Sequence, residues 1–240
     1  MGDDKMCVPM LSIKNLSAWY DSKKMALKGL TLELAEHEVV GLIGLNGAGK
    51  TTFLQVLSGL LPTFRSDGVW FCGRSVTFRE RNFKLCRYSV FAEDNSFQYF
   101  TFREYLSYVF SAYGNALPDV SELVQGFHFE DYTDVLLKEL STGNRKKVFL
   151  ITAFALKPKL LLLDEPVNGL DFESTEYLYK QIAGYKEYGT VLFSSHILES
   201  IALTADRVVV LKDGKIRRNL KKGQIDAVGI REALRYEQDV

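Results

Sequence analysis

The chain has few cysteines and no excess of charge of either sign. Only three cysteines occur among the 240 residues, and Cys7, Cys72 and Cys86 are scattered along the chain. An odd number without metal-ligand spacing argues against a disulfide framework or a metal site, so we expect reduced thiols. Lysine and arginine total 30, as do aspartate and glutamate, and this balance favours neither nucleic acid nor an anionic membrane surface as a bulk partner.

Long apolar runs are also missing. The most apolar stretches, 148–156 and 160–163, are separated by Lys157, Pro158 and Lys159. Neither approaches the ~20 residues that span a bilayer, so we expect that the chain does not cross a membrane by itself. The acidic start, Met-Gly-Asp-Asp-Lys, lacks the apolar centre of a secretory signal. The length suits one α/β domain, with or without a small inserted subdomain.

The apolar segments that are present predict two kinds of strand. Residues 11–14 and 30–34 alternate apolar and polar positions, as half-buried antiparallel strands do. Residues 212–215 (Lys-Asp-Gly-Lys) predict a hairpin turn into a short last strand near Ile216. Four runs are apolar nearly throughout, as strands buried on both faces are: 39–43, 160–163, 191–193 and 208–211. Helical stretches separate them, so we expect an α/β fold with a mostly parallel sheet and an N-terminal antiparallel β subdomain.

A complete G-x-x-x-x-G-K-T sequence directly follows the apolar run 39–43. Such a strand, glycine-rich turn and helix form the phosphate-binding loop of P-loop NTPases. Lys50 is expected to reach the β- and γ-phosphates, and the Thr51 hydroxyl to bind Mg²⁺. The alternative, a glycine-rich turn without function, does not explain the flanking strand and helix. Nucleotide contacts are expected from Gly44, Leu45, Asn46, Gly47, Ala48, Gly49, Lys50, Thr51 and Thr52.

A second chemical element is the apolar strand that ends in Asp164 and Glu165. Carboxylates at the carboxyl end of such a strand lie where ligands of open α/β sheets bind. Asp164 is a candidate partner of the Mg²⁺ held by Thr51, and Glu165 is a candidate base that activates water. A buried strand with a capping aspartate is the structural alternative for this segment.

Residues 89–140 differ from the rest of the chain because they are rich in aromatics and helical in pattern, with a loop at 114–118. We interpret about 89–155 as an α-helical subdomain inserted into a domain spanning 10–220, followed by a tail at 221–240. The basic clusters at 145–147, 217–218 and 221–222 are expected to lie on solvated faces.

Three more segments occur in a recognisable order around these elements. Leu-Ser-Thr-Gly-Asn (140–144) precedes a helix, Val-Asn-Gly-Leu-Asp (167–171) follows the acidic strand, and Ser-Ser-His (194–196) closes the next strand. With the phosphate loop and Tyr20 before it, this order resembles the ATP-binding-cassette ATPases over nearly all of 10–220. The departures are Thr142 where the family signature has glycine, Glu93 where a glutamine is usual, and Glu-His at 36–37 in place of a Pro-Gly turn.

The resemblance implies a catalytic arrangement. Tyr20 would stack on adenine, although a half-buried tyrosine at a strand end is the alternative. His196 would be the switch histidine, acting with Glu165 and Lys50 in catalysis. Two such domains would pack head to tail, so that Ser141 and Gly143 contact the γ-phosphate bound by a partner. The metal site would comprise Thr51, Glu93 and Asp164.

The sequence therefore predicts an ATP-hydrolysing subunit that uses ATP and Mg²⁺ and powers a separate transmembrane permease at the cytoplasmic face of a membrane. The partner cassette is a second copy or a homologue, with no nucleic acid involved, and Glu93 favours an exporter. The aromatic segment from Phe97 to Tyr113 would form the core of the helical subdomain or line a groove for a helix of the permease. A soluble ATPase acting as a conformational clamp or assembly scaffold is the alternative, as is a degenerate cassette that only binds nucleotide.

Overall fold

The computed structural model describes residues 8–21, 24–195, 201 and 204–225. Its strands are β1 (Leu11–Asp21), β2 (Lys24–Leu34), β3 (Val39–Ile43), β4 (Phe64–Arg65), β5 (Gly68–Phe71), β6 (Arg74–Ser75), β7 (Arg87–Val90), β8 (Leu160–Leu163), β9 (Thr190–Ser195), β10 (Arg207–Lys212) and β11 (Lys215–Lys221). Its helices are α1 (Lys50–Leu57), α2 (Arg81–Leu85), α3 (Phe102–Tyr113), α4 (Ser121–Gly126), α5 (Thr142–Leu156) and α6 (Phe172–Gly184).

Strands β1 and β2 form the centre of an antiparallel sheet with the order β2-β1-β5-β6, in which β4 also pairs with β1. Leu11 lies opposite Leu34 and Ile13 lies opposite Leu32, and all four side chains are buried. This confirms the antiparallel β subdomain expected from the alternating pattern. The turn that follows β2 contains His37 at φ 58°, a left-handed conformation that histidine tolerates better than most residues.

The second sheet has six strands in the order β11-β10-β3-β9-β8-β7. All neighbouring pairs are parallel except β10 and β11, which form the predicted hairpin. Strand β11 has seven residues and is therefore longer than the short strand expected near Ile216. The carboxyl ends of β3, β8 and β9 lie side by side, with Ile43 paired to Ser195 and Leu163 paired to Phe193. This edge positions the candidate site.

The parallel sheet is buried on both faces because a core lies on each side of it. In β8, Leu160 and Leu162 face a core shared with α1 and the antiparallel sheet, whereas Leu161 and Leu163 face the core shared with α3 to α6. This two-sided burial explains why the strand is apolar at every position.

The helical region lies between β7 and β8 in sequence. Ser89 and Val90, at the start of the stretch interpreted as a helical subdomain, belong to strand β7 of the parallel sheet. The first helix of this region is α3, whose N-terminus is capped by a capping box between Thr101 and Glu104. None of the helices in the described ranges is both long and apolar enough to cross a membrane.

Candidate nucleotide site

The turn between β3 and α1 wraps around an open cavity of about 670 Å³. Gly49 has φ 107°, and a Cβ on Gly44 would lie 2.4 Å from the carbonyl oxygen of Leu211. Both positions therefore require glycine, for conformation in one case and for space in the other. The predicted contact residues that line the cavity are Tyr20, Leu45, Asn46, Gly47, Ala48, Gly49, Lys50, Thr51 and Thr52. Gly44 contributes its carbonyl oxygen to the next interaction.

Lys50 is a buried cation at the centre of the loop. Its Nζ donates a hydrogen bond of 2.7 Å to the carbonyl oxygen of Gly44 and lies 3.5 Å from Oε1 of Glu165. The Lys50 and Glu165 side chains are only 7% and 13% exposed. The structure thus places two of the three predicted catalytic residues in direct electrostatic contact, Lys50 at the start of α1 and Glu165 just after β8.

Asp164 connects the phosphate loop to the neighbouring strand β9. Its Oδ2 accepts a 2.8 Å hydrogen bond from the Thr51 hydroxyl, and its Oδ1 accepts a 2.7 Å bond from the Ser194 hydroxyl. Asp164 is 1% exposed, so both bonds are shielded from water. Ser194 also accepts a 2.9 Å bond from the backbone N–H of Glu165. The sequence patterns assigned Ser194 no role, although its place at the end of the strand beside β8 was a usable signal.

The backbone turns sharply at Glu165, which has φ 45°. Lys146 of α5 donates a 3.2 Å hydrogen bond from Nζ to the carbonyl oxygen of Glu165. Burial lowers the pKa of Lys146, and the carboxylates of Asp164, Glu165 and Glu93 oppose this shift.

The expectation that the basic cluster 145–147 lies on a solvated face is wrong for two of its members. Lys146 and Lys147 are 3% and 4% exposed. Lys147 Nζ forms an ion pair of 2.8 Å with Oδ2 of Asp171. The clusters 217–218 and 221–222 are exposed, as expected.

Tyr20 lies near the end of β1 and is 58% exposed. Its hydroxyl donates a 2.7 Å hydrogen bond to Oε1 of Gln55 and lies 3.2 Å from the hydroxyl of Thr52. These contacts hold the ring against α1, at the wall of the cavity. An exposed, oriented aromatic ring beside a phosphate loop is suited to stacking on a base.

Ser141 and Gly143 lie at the start of α5 and do not line the cavity around Lys50. The Ser141 hydroxyl caps α5 by accepting a 3.2 Å hydrogen bond from the N–H of Asn144. A Cβ on Gly143 would lie 2.1 Å from the carbonyl oxygen of Gly169, so the two loops are in backbone contact. Thr142 is exposed beside them. The sequence thus assigns nucleotide contacts to two regions that do not line the same cavity of the chain.

Glu93 is exposed and faces the carboxyl edge of the sheet. It shares a cavity of about 470 Å³ with Thr51 and Asp164. Within the described ranges, no group of three histidine, cysteine or acidic side chains is close enough to hold a metal ion alone. A hydroxyl and carboxylates are hard oxygen donors that suit Mg²⁺, which commonly completes its shell with water and phosphate oxygens. His196, the predicted switch histidine, lies outside the described residues.

Comparison with known proteins identifies the family. The ABC transporter family model matches residues 27–168. A putative ABC transporter ATP-binding protein of Bacillus subtilis, AlbC, is 35% identical over 90% of this chain and 93% of its own length. An energy-coupling factor transporter ATP-binding protein of Clostridium perfringens, EcfA2, is 34% identical over 86% of this chain and 78% of its own. A solved ATP-binding subunit of an ABC transporter superposes with a TM-score of 0.81 at 27% identity, covering 92% of this chain and 94% of that structure.

The range matched by the family model contains the phosphate loop, the signature segment and the acidic strand, and the structural match covers 92% of the chain. The fold expected from the sequence is therefore confirmed. Domains of this family bind ATP and couple its hydrolysis to transport. The chain belongs to the ABC transporter family, as an ATP-binding cassette ATPase.

Proposed function

We propose that this chain dimerises head to tail around ATP and drives a separate membrane-spanning export subunit at the cytoplasmic face of a membrane. The observation that carries the dimer is that Lys50 lines the phosphate cavity, whereas Ser141 and Gly143, at the start of α5, do not. The N-terminus of this 15-residue helix is suited to an anion, and a second copy would supply that anion with its own bound ATP.

In the proposed mechanism, Lys50 leaves Glu165 and neutralises charge on the β- and γ-phosphates. Glu165 then serves as the base that accepts a proton from the attacking water. Tyr20 stacks on the adenine, and the loop backbone binds the phosphates. Ser141 and Gly143 of the partner donate hydrogen bonds to the γ-phosphate and so complete the site only in the closed dimer.

The residues present fit Mg²⁺. Thr51 and Asp164 are already joined by a hydrogen bond, and Glu93 faces the same cavity. These three residues would hold the ion, which neutralises phosphate charge when bound. The Ser194 hydroxyl donates to Asp164 Oδ1 and so orients the carboxylate toward the side where the metal would bind.

The permease contact is proposed at an aromatic surface formed by Phe97, Tyr99, Phe100 and Tyr108. Phe97 packs on Phe100 and Tyr108 with ring centroids 5.3 and 5.2 Å apart. Tyr99 and Tyr108 are 75% and 51% exposed, whereas Tyr105 is buried in the core. One side of the segment therefore packs in the core of the helical region, and the other side faces outward, where the permease helix is proposed to bind. An exposed aromatic surface suits a short amphipathic helix of a membrane subunit.

Export is proposed because Glu93 stands where the family usually has glutamine, and a glutamate at this point resembles a subgroup of stand-alone transporter ATPases. His196 is proposed as the switch histidine on its place in the sequence after β9. The partner cassette is proposed to be a second copy of this chain, since the phosphate loop, the acidic pair and Ser141 are all present.

Mixing two inactive variants tests the composite site. Lys50→Ala removes the phosphate cation, whereas Ser141→Asp keeps a capping side chain on α5 and turns a carboxylate toward the partner's γ-phosphate. Each variant alone is expected to lose ATPase activity. In a mixed dimer, one site combines Lys50 from one chain with Ser141 from the other, so an equimolar mixture should recover a measurable share of wild-type activity.

Activity of Ser141→Asp alone, at the wild-type level, would contradict the head-to-tail dimer. A mixture as inactive as its components, with both variants folded and Ser141→Asp still binding ATP, would contradict it as well. Light scattering on Glu165→Gln gives an independent measure, with a dimer expected in Mg·ATP and a monomer in ADP.

A further inference from the structure

Lys146 is a buried cation to which the proposed mechanism gives no role. Its side chain is 3% exposed and its Nζ reaches the carbonyl oxygen of Glu165 at 3.2 Å. The acidic groups near it are those of Asp164, Glu165 and Glu93. Removing a lysine from water is unfavourable unless its charge and its hydrogen bonds are compensated. Here the carbonyl oxygen of Glu165 accepts the hydrogen bond, and the nearby carboxylates compensate the charge.

The backbone of Glu165 needs this support. A residue with a side chain is strained at φ 45°, and such strain persists only where the surroundings hold it. The N–H of Glu165 donates to the Ser194 hydroxyl at 2.9 Å, and its carbonyl accepts from Lys146. The N–H and the carbonyl group of Glu165 are thus each fixed by a hydrogen bond, the first to β9 and the second to α5.

We propose that Lys146 is a positioning residue that holds the left-handed turn at Glu165 and so aims its carboxylate at the phosphate site. This proposal rests on the function proposed above, in which Glu165 is the base. Lys146 itself touches neither nucleotide nor water in this role. It fixes the carbonyl group on one side of the strained residue, and the side chain direction follows from the backbone.

The same helix holds the rest of the acidic segment. Gly143 is in backbone contact with Gly169, and Lys147 forms an ion pair with Asp171. With Lys146 on Glu165, three successive contacts attach 165–171 to the first two turns of α5. A shift of α5 by a partner's nucleotide would therefore move Glu165 through Lys146. Lys146 thus connects the start of α5, which contacts the partner's ATP in the proposed dimer, to Glu165, the base at the chain's own ATP.

Hydrogen exchange on the nucleotide-free protein tests the hold directly. Lys146→Met keeps most of the length and the apolar stem of the side chain but removes its donor. Peptides covering 165–171 are expected to exchange at least about threefold faster in this variant than in the wild type. Thr152→Val on the same helix is the matched control, because it removes a buried hydrogen bond whose acceptor, the Val148 carbonyl, belongs to α5 itself and not to 165–171. Unchanged exchange in Lys146→Met would overturn the proposal.

Turnover gives the second readout. Lys146→Met is expected to lower kcat roughly 10- to 100-fold, the range for a slightly misplaced catalytic group, with KM for ATP within about threefold. Lys146→Arg and Lys146→Gln keep a donor, and the better of the two should recover at least tenfold in kcat over Lys146→Met. Equal losses in all three variants, or a loss that appears in KM instead, would overturn the role.

Failure of this inference differs from failure of the proposed function. An inactive wild type would reject the function, whatever Lys146 does to hydrogen exchange. An active wild type with an equally active Lys146→Met rejects only the positioning role.

Discussion

The pair formed by Lys50 and Glu165 implies that the protein without nucleotide opposes its own ATP binding. Lys50 Nζ lies 3.5 Å from Glu165 Oε1, and both side chains are mostly buried. Lys50 must give up this contact to bind phosphate. We therefore expect Glu165→Gln, which removes the competing charge, to bind ATP more tightly than the wild type while its hydrolysis is lost.

The distance sets the size of the effect. Two unit charges about 4 Å apart attract by about 4 kcal/mol at an effective dielectric constant near 20. Lys50 also donates a hydrogen bond to the carbonyl oxygen of Gly44, and the phosphates would partly neutralise its charge once ATP is bound. If about a third of this attraction is lost when ATP binds to the wild type, Glu165→Gln avoids that loss and its affinity for ATP is about tenfold higher.

Titration with a fluorescent nucleotide in EDTA measures this affinity without turnover. Asp213→Asn is the matched control, since it removes the same charge from an exposed residue lining the same cavity and asparagine tolerates the φ of 50° found there. The gain should be confined to Glu165→Gln and should be larger for ATP than for ADP. Equal gains in both variants would assign the effect to net charge, and weaker ATP binding by Glu165→Gln would refute competition for Lys50.

Two other substitutions test separate parts of the site. Tyr20→Ala is expected to weaken ATP and ADP binding by about 5- to 100-fold, the range for loss of base stacking, whereas Tyr20→Phe keeps the ring and should bind within about threefold of the wild type in the same titration. Equal losses in both would instead implicate the hydroxyl contacts with Thr52 and Gln55. In a Glu165→Gln background, Thr142→Gly is expected to lower the ATP concentration needed for dimerisation, measured by light scattering. An unchanged or higher ATP concentration would contradict a steric role for Thr142.

The parts of the fold that the sequence predicted are those set by neighbouring residues. The phosphate loop needs glycines next to a buried strand, and the acidic pair needs only a strand to place it at the sheet edge. Both are local patterns, so the loop of 44–51 and the pair at 164–165 could be located before any contact was known. The hairpin at 212–215 was predictable for the same reason, since its turn chemistry lies within four residues.

The burial of Lys146 and Lys147 could not be read from the charge run alone. A cluster of basic residues on a helix usually faces water, and here tertiary packing against the acidic segment overrides that rule. The residues after the cluster did carry a signal. Residues 148–156 are almost all apolar around the whole helix, which indicates a helix buried on every side rather than on one stripe. Lys146 and Lys147 directly precede this stretch and are buried with it, whereas the residues nearer the start of the helix are not.

Thr142 and Gly143 differ in what they require, and the difference indicates where the partner lies. A side chain at 143 would meet the backbone of Gly169 within the same chain, so packing inside the chain explains that glycine. Thr142 is exposed, and its side chain is accommodated without any such conflict. Any need for a small residue at 142 must therefore come from a molecule outside the chain. In the proposed dimer that molecule is the other protomer with its ATP, and Thr142 affects how closely the two halves approach while leaving the fold of each unchanged.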